Sequence, residues 1–354
     1  MAPNDPQYGQ SPQVIERIVM AGPPRRGLLS RLLGSLLYLF LFVLCSFVIL
    51  ALGLGALSAA FEGADTQVTE HYHSLSKTAT DKIAIITVDG AILDGEGFIK
   101  KQIDHVHDDP HVRAIVLRVN SPGGTVTASD YLYHHLRKMV EARKIPIVVS
   151  MGGLAASGGY YIAMAVGPEE KVIFAEPTTW TGSIGVIIPH YNVAGLMKHW
   201  EVEEDSIKSG PLKQMGTPTR PMTTEEKEIF KELVDDSFQR FQNIVKAGRP
   251  AFAKDPEALA KVTTGQVFTA DQAVANGLVD EQGYIEEAIA RATSLAGLSE
   301  PNVRVVKYKQ RANLLSMPFN AEARSPWNVA AMLDLATPRA YFLCNWQLPL
   351  TATE

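Results

Sequence analysis

The stretch from Ile145 to Ala165 restricts the possible folds more than any other part of the chain. Ile145-Pro-Ile-Val-Val-Ser150 is a β-branched apolar run with the composition of a buried strand. Met151-Gly-Gly-Leu-Ala-Ala-Ser157-Gly-Gly follows, and Tyr160-Tyr-Ile-Ala-Met-Ala165 has the character of a buried helix start. Strand, small-residue cluster and helix in that order put Ser157 at a sharp turn. Small neighbours on both sides are what a tightly folded nucleophile elbow needs. The plain alternative is a turn in which the Ser157 hydroxyl only caps the helix.

Alternating elements surround this unit. Strands are expected at 83–89, 114–120, 145–150, 171–175 and 303–308. Helices are expected at 97–107, 127–142, 192–199, 270–276 and 284–295. Thr223-Thr-Glu-Glu226 is a capping-box signature opening a long charged helix to about Lys246. Strand and helix alternating at this spacing give an α/β fold with a largely parallel sheet.

The rest of the chain divides by composition. Residues 1–24, rich in Pro, Gln and Gly, read as a disordered tail. Arg25, Arg26 and Arg31 precede a charge-free apolar run, Leu32 to Leu57. As a helix that run is long enough to cross a bilayer core of roughly 30 Å, and it is too long and too far from Met1 for a cleaved leader. The arginines on its N-terminal side put the tail in the cytoplasm and the later residues across the membrane. A polar linker is expected at 58–80, a catalytic-size domain at 81–310, and a segment of undefined role at 311–354. That last segment, aperiodic and carrying Pro and Trp, is expected to dock on the body or on a neighbouring subunit. A net charge of −5 without a basic run excludes general nucleic-acid binding. With two cysteines in 354 residues, stability has to come from packing.

Three further features bear on chemistry. A serine hydroxyl needs a base, and none of the nine histidines sits in a catalytic context. His105-Val-His107 and His111 resemble metal ligands in composition only, and no metal or cofactor is expected. Lys213 lies in the Gly- and Pro-rich loop Ser209-Gly-Pro-Leu-Lys213. It is either an ordinary solvated lysine or, if buried, a base, with Ser183 as a hydroxyl to hold it. Asn120-Ser-Pro-Gly-Gly124 follows a strand, and its glycines suit either a plain turn or backbone N–H groups aimed at an oxyanion.

Taken together these motifs resemble the signal peptide peptidase A family of serine peptidases, in its short form with a single catalytic domain. The matching residues are Asn120 to Gly124, Ala155 to Tyr161, Thr181-Gly-Ser-Ile-Gly-Val186 and Lys208 to Lys213. Gly265 to Ala270 and Ala275 to Asp280 complete the set. The resemblance implies the crotonase-like or Clp-protease-like α/β superfold behind one N-terminal transmembrane helix. It implies Ser157 as nucleophile, Lys213 as general base with Lys208 as its rival, Ser183 orienting the lysine, and Gly124 with Gly158 as oxyanion donors. It further implies a homo-oligomer whose lysine reaches the serine of a neighbouring protomer, and a place in the bacterial cytoplasmic membrane. Peptides left from cleaved signal sequences would be the substrates, with small or apolar side chains suiting the small residues around Ser157. Activity would rise above neutral pH. The competing readings are a membrane-bound quality-control peptidase, an acyl-CoA enzyme of the crotonase type, and a non-catalytic membrane scaffold.

Overall fold

In the central strands, consecutive residues point to opposite faces of the sheet, yet Ala114, Ile115, Val116 and Leu117 are all fully buried. Both faces of the sheet are therefore covered, and this is why these strands read as continuous apolar runs rather than alternating ones. The computed structural model describes residues 40–49, 68–310 and 340–344.

The main unit holds a nine-stranded sheet. Its strands are β1 (Val68–Leu75), β2 (Lys82–Asp89), β3 (Val112–Ser121), β5 (Ile147–Ala156), β6 (Ile173–Ala175), β7 (Trp180–Gly182), β8 (Val267–Thr269), β9 (Glu281–Gln282) and β10 (Arg304–Gln310). The order is β1-β10-β2-β3-β5-β6-β9, with β7 beside β5 and β8 beside β7. From β10 to β9 every pairing is parallel, and β1 closes the edge antiparallel to β10. A two-stranded sheet joins β4 (Gly123–Thr125) to β11 (Tyr341–Leu343).

Three helices place the serine and its surroundings: α1 (Val126–Arg143), α2 (Gly158–Ala163) and α3 (Thr224–Gly248). Thr125 caps α1 by accepting from the Ala128 N–H at 3.2 Å. The expected capping box opens α3: Thr223 Oγ1 accepts from Glu226 N–H at 3.1 Å and Glu226 Oε2 accepts from Thr223 N–H at 3.0 Å. Helix Ile285–Leu295 packs Ala288, Ile289 and Ala292 against β3, β5 and β6.

Several expectations change. Residues 68–75, read as linker, form β1, because an edge strand needs one ladder of backbone bonds and tolerates polar side chains. The body therefore starts before residue 81. Met151–Ala156, read as the small cluster of a turn, stays in β5, since Leu154–Ala156 pair with Trp180–Gly182. Helices Ala251–Lys254 and Pro256–Val262 were not foreseen.

Of the expected span 32–57, residues 40–49 are described; they are helical, and Phe40, Phe42 and Ile49 are exposed. They belong to a separate unit, Met1–Gly63. Among the described residues no helix is long and apolar enough to cross a membrane. The remainder of that span, the tail 1–24 and most of 311–354 lie outside the described residues.

Candidate active site

Strand β5 ends at Ala156 and α2 begins at Gly158, so one residue makes the turn. Ser157 does so with φ 55° and ψ −114°, a conformation that a residue with a side chain rarely takes. Such a residue costs about 1–3 kcal/mol, which the surrounding structure has to supply. Here the fixing is main-chain: Ser157 N–H donates to Gly182 O and Tyr161 N–H donates to Ser157 O, both at 2.8 Å. The hydroxyl is 1% exposed and, among the described residues, Oγ has no hydrogen-bond partner. It does not cap α2. A strained backbone and an unpaired buried hydroxyl are both unfavourable, and here they occur in one residue.

Ser183 stands beside it. Ala156 pairs with Gly182 across β5 and β7, so the two serines follow at neighbouring strand ends. Ser183 is also left-handed, with φ 50°, and buried; its N–H donates to Gln266 O at 2.7 Å. Thr181 Oγ1 donates to Ala155 O at 2.6 Å and fixes β7 to β5 below the serines.

The glycines of β4 press against α2. A Cβ on Gly124 would lie 1.9 Å from Ile92 O, and one on Gly158 would lie 2.5 Å from Ser129 Oγ and 3.1 Å from Gly124 N. No side chain fits at either position, so the two main-chain amides are neighbours next to Ser157. That is the arrangement an oxyanion needs.

Lys213 is elsewhere. It sits in the short turn Pro211–Gln214, with its side chain exposed, and no hydrogen bond joins it to Ser157. Lys208, its rival, donates to Gln214 Oε1. The loop is anchored by Arg220, which donates to the buried Glu226 carboxylate at 2.9 Å and to Gln214 O at 3.4 Å. The hydrogen bond from Arg220 holds the Glu226 carboxyl down at about 2. The structure thus brings Ser157, Ser183, Gly124 and Gly158 together and leaves both lysines outside the group. Among the described residues no cluster of His, Cys, Asp or Glu is placed to hold a metal ion.

Sequence reasoning missed two parts of this site. One is β11, which lies against Gly123–Thr125. The other is an aromatic group in which Tyr161 meets Tyr133, Phe241 and Phe342. Of these, Tyr161 alone falls in a motif noted above.

Residues 140–299 match the family model described as Peptidase family S49, and residues 71–180 match the one described as Clp protease. A protein of Enterococcus faecium named for signal peptide peptidase SppA is 35% identical over 256 residues, covering 69% of this chain and 71% of its own length. Protease 4 of Salmonella typhi is 35% identical over 277 residues, covering 75% of this chain. This chain spans 43% of that protein. The chloroplastic serine protease SPPA of Arabidopsis thaliana is 32% identical over 231 residues, 62% of this chain and 33% of its own length. A strained, buried serine at the end of a parallel strand is what those names lead one to look for, and the chain belongs to peptidase family S49, a family of serine peptidases.

Proposed function

We propose that this protein is a membrane-anchored endopeptidase in which Ser157 is the nucleophile and Lys213 of a neighbouring protomer is the general base. Its substrates are the apolar peptides left in or near the membrane when signal sequences are cut off. The observation that carries the reading is the Ser157 hydroxyl, held in a strained turn beside two glycine amides and without a partner among the described residues.

The chemistry is acyl transfer to serine. Neutral Lys213 takes the Ser157 proton as Oγ attacks the substrate carbonyl carbon. The carbonyl π pair moves onto oxygen, which accepts from the Gly124 and Gly158 N–H groups. Collapse breaks the C–N bond, and the lysine ammonium gives its proton to the leaving amine. Water, deprotonated by the same lysine, then cleaves the acyl-serine ester and releases the acid.

A shared site accounts for the exposed position of Lys213 within one chain. A base of this kind works when neutral, and a covering protomer supplies the desolvation that favours the neutral amine. The neighbouring surface supports an interface: Ile187, Tyr191, Leu196, Trp200, Val202 and Ile207 are all exposed apolar residues within one stretch. The run Leu32 to Leu57 supplies the anchor, and the arginines before it orient the body away from the cytoplasm.

Mixing inactive protomers tests the arrangement. Ser157→Ala and Lys213→Ala proteins, each dead alone, are unfolded together and reassembled one to one. In a head-to-tail ring, about a quarter of the sites then regain both groups, and peptide hydrolysis returns to about that fraction. A mixture as inert as its components sinks the shared site. Activity in Lys213→Ala alone sinks the dyad.

A further inference from the structure

Gln214, the residue after Lys213, is held by its carbonyl and by both ends of its side-chain amide. Its main-chain O accepts from Arg220 Nη2 at 3.4 Å and from Thr217 N–H at 3.2 Å. Its Oε1 accepts from Lys208 Nζ, and its Nε2 donates to Glu204 Oε1. Lys213 is treated in the opposite way. Its N–H donates to Gly210 O at 3.2 Å within the turn, and among the described residues no hydrogen bond or ion pair reaches its side chain.

The partners of Gln214 are themselves fixed. The Glu204 carboxylate also accepts from Ser206 Oγ and Thr219 Oγ1. These bonds, that from Ser206 first, hold its carboxyl below the usual range and keep it an acceptor. Arg220 forks onto the buried Glu226, with Nη1 on Oε2 at 2.9 Å and Nη2 on Oε1. Glu226 is the capping-box residue of α3, so one guanidinium joins the lysine turn to the first turn of that helix. The returning limb is tied as well, since Pro218 O accepts from Val193 N–H at 2.8 Å. Roughly 20 Å further along α3, Arg240 pairs at 2.7 Å with Asp130 of α1, which accepts from Tyr161 OH of the helix that Ser157 opens.

Exposed polar contacts of this kind add little stability, and ordering long side chains such as Gln, Lys and Arg costs entropy. What the set supplies is geometry. A general base has to stand within hydrogen-bond reach of the proton it takes, and a displacement of about 1 Å can cost about a hundredfold in rate.

We propose that Arg220 and Gln214 are positioning residues for Lys213. Arg220 locks the turn to Glu226, and Gln214 is pinned between Glu204 and Lys208, so the base is held ready for another protomer's serine. This rests on the Ser157/Lys213 reading above. It also separates the two lysines in role: the Lys208 ammonium is engaged with Gln214 and steadies the turn, while the Lys213 amine is left to take the proton.

The chain that carries the substitution decides the test. The two dead proteins described above are reassembled one to one, Ser157→Ala supplying the lysine and Lys213→Ala supplying the serine. Arg220→Ala is then added to one or the other. In the lysine-supplying chain it is expected to lower the restored kcat at least about tenfold, with KM within about twofold. In the serine-supplying chain the change in kcat is expected to stay within about twofold. Arg220→Lys, which keeps the charge and loses the fork, is expected to fall between Arg220→Ala and the parent in the lysine-supplying chain. Gln214→Ala leaves Arg220 on Glu226 and is expected to show the same one-sided loss, and it carries the test if Arg220→Ala does not fold. A loss that is the same in either chain, as general damage to the fold would give, overturns the proposal, and so does no loss in either. If the mixture is inert although the parent cleaves peptide, the lysine serves its own serine. Arg220→Ala and Gln214→Ala in the otherwise unchanged chain must then lower kcat by the same factor with KM held, and an unchanged kcat overturns the proposal. Cleavage by Lys213→Ala alone removes the dyad and the positioning role together, whereas a working dyad with a loss independent of placement removes the positioning role only.

Discussion

Ser157 donates its main-chain N–H to the Gly182 carbonyl at 2.8 Å, and this bond ties the elbow to the end of the strand that Ser183 follows. The position of Ser157 is set by main chain, and among the described residues its hydroxyl has no hydrogen-bond partner. Strain and reactivity can therefore be separated by substitution.

Ser157→Gly is expected to be inactive yet more stable than Ser157→Ala by about 1 kcal/mol or more, because glycine takes φ 55° and ψ −114° without penalty. Alanine keeps the strain and loses only the unpaired hydroxyl. Urea unfolding of the two variants gives the comparison, and equal midpoints would mean the turn stores no strain.

Gly124→Ala is expected to lower kcat/KM by a factor of about 100 or more and to weaken the fold as well. The new Cβ, 1.9 Å from Ile92 O, has to break the Ile92 bridge. Gly153→Ala is the control: its Cβ would meet nothing nearer than Asn120 Oδ1 at 3.9 Å, so folding and activity stay near the parent's. Similar losses in the two variants would show that any added bulk near the site is harmful.

Acid stability depends in part on Glu226. Its carboxyl is held at about 2 in the folded chain against an ordinary 4.5, first by the hydrogen bond from Arg220 and also by the Thr223 N–H. A lowered value means that the ion pair stabilises fully above pH 4.5 and that its contribution is lost as pH falls toward 2. Glu226→Gln is therefore expected to be less stable at neutral pH and to show a flatter fall in urea midpoint across that window. Parallel curves for the two proteins would assign the acid response to other groups.

Tyr161→Phe removes the bond to Asp130 while keeping the ring, and is expected to cost about 1 kcal/mol with peptide cleavage preserved. Asp130 keeps its ion pair with Arg240 at 2.7 Å. Tyr161→Ala removes the ring that meets Tyr133, Phe241 and Phe342 and is expected to cost about 3–5 kcal/mol. Thermal unfolding of both separates the hydroxyl's contribution from the ring's.

The central sheet was legible because β2, β3 and β5 are buried on both faces and carry nearly unbroken aliphatic runs. The elbow was legible because a sharp turn beside packed backbone excludes all but small neighbours, and Gly158 shows how little room there is. The polar edge strand β1 left no apolar pattern to read, since Glu70, His71 and Tyr72 need only the ladder with β10. Gly152 and Gly153 looked like turn residues, but pairing with β7 just beyond them keeps the strand extended. Three-residue strands such as β4 and β11 have no period, and their pairing joins residues far apart in sequence. The aromatic group around Tyr161 was not legible for a related reason: its rings come from Tyr133, Tyr161 and Phe241, while the residues adjacent to Ser157 are small. Lys213 sits in the exposed turn Pro211–Gln214, which carries no apolar pattern to read.

The pairing of β7 with β8 also has a consequence in time. Ser183 is seated by the carbonyl of Gln266, and β2 gains its outer neighbour only with Arg304–Gln310. During synthesis at about 5–20 residues per second, the serine emerges several seconds before the strands that hold its surroundings. A partly made chain thus carries Ser157 without the strands that hold its surroundings. In the peptidase proposed above, an unfinished chain therefore stays inert until nearly the whole body has been made.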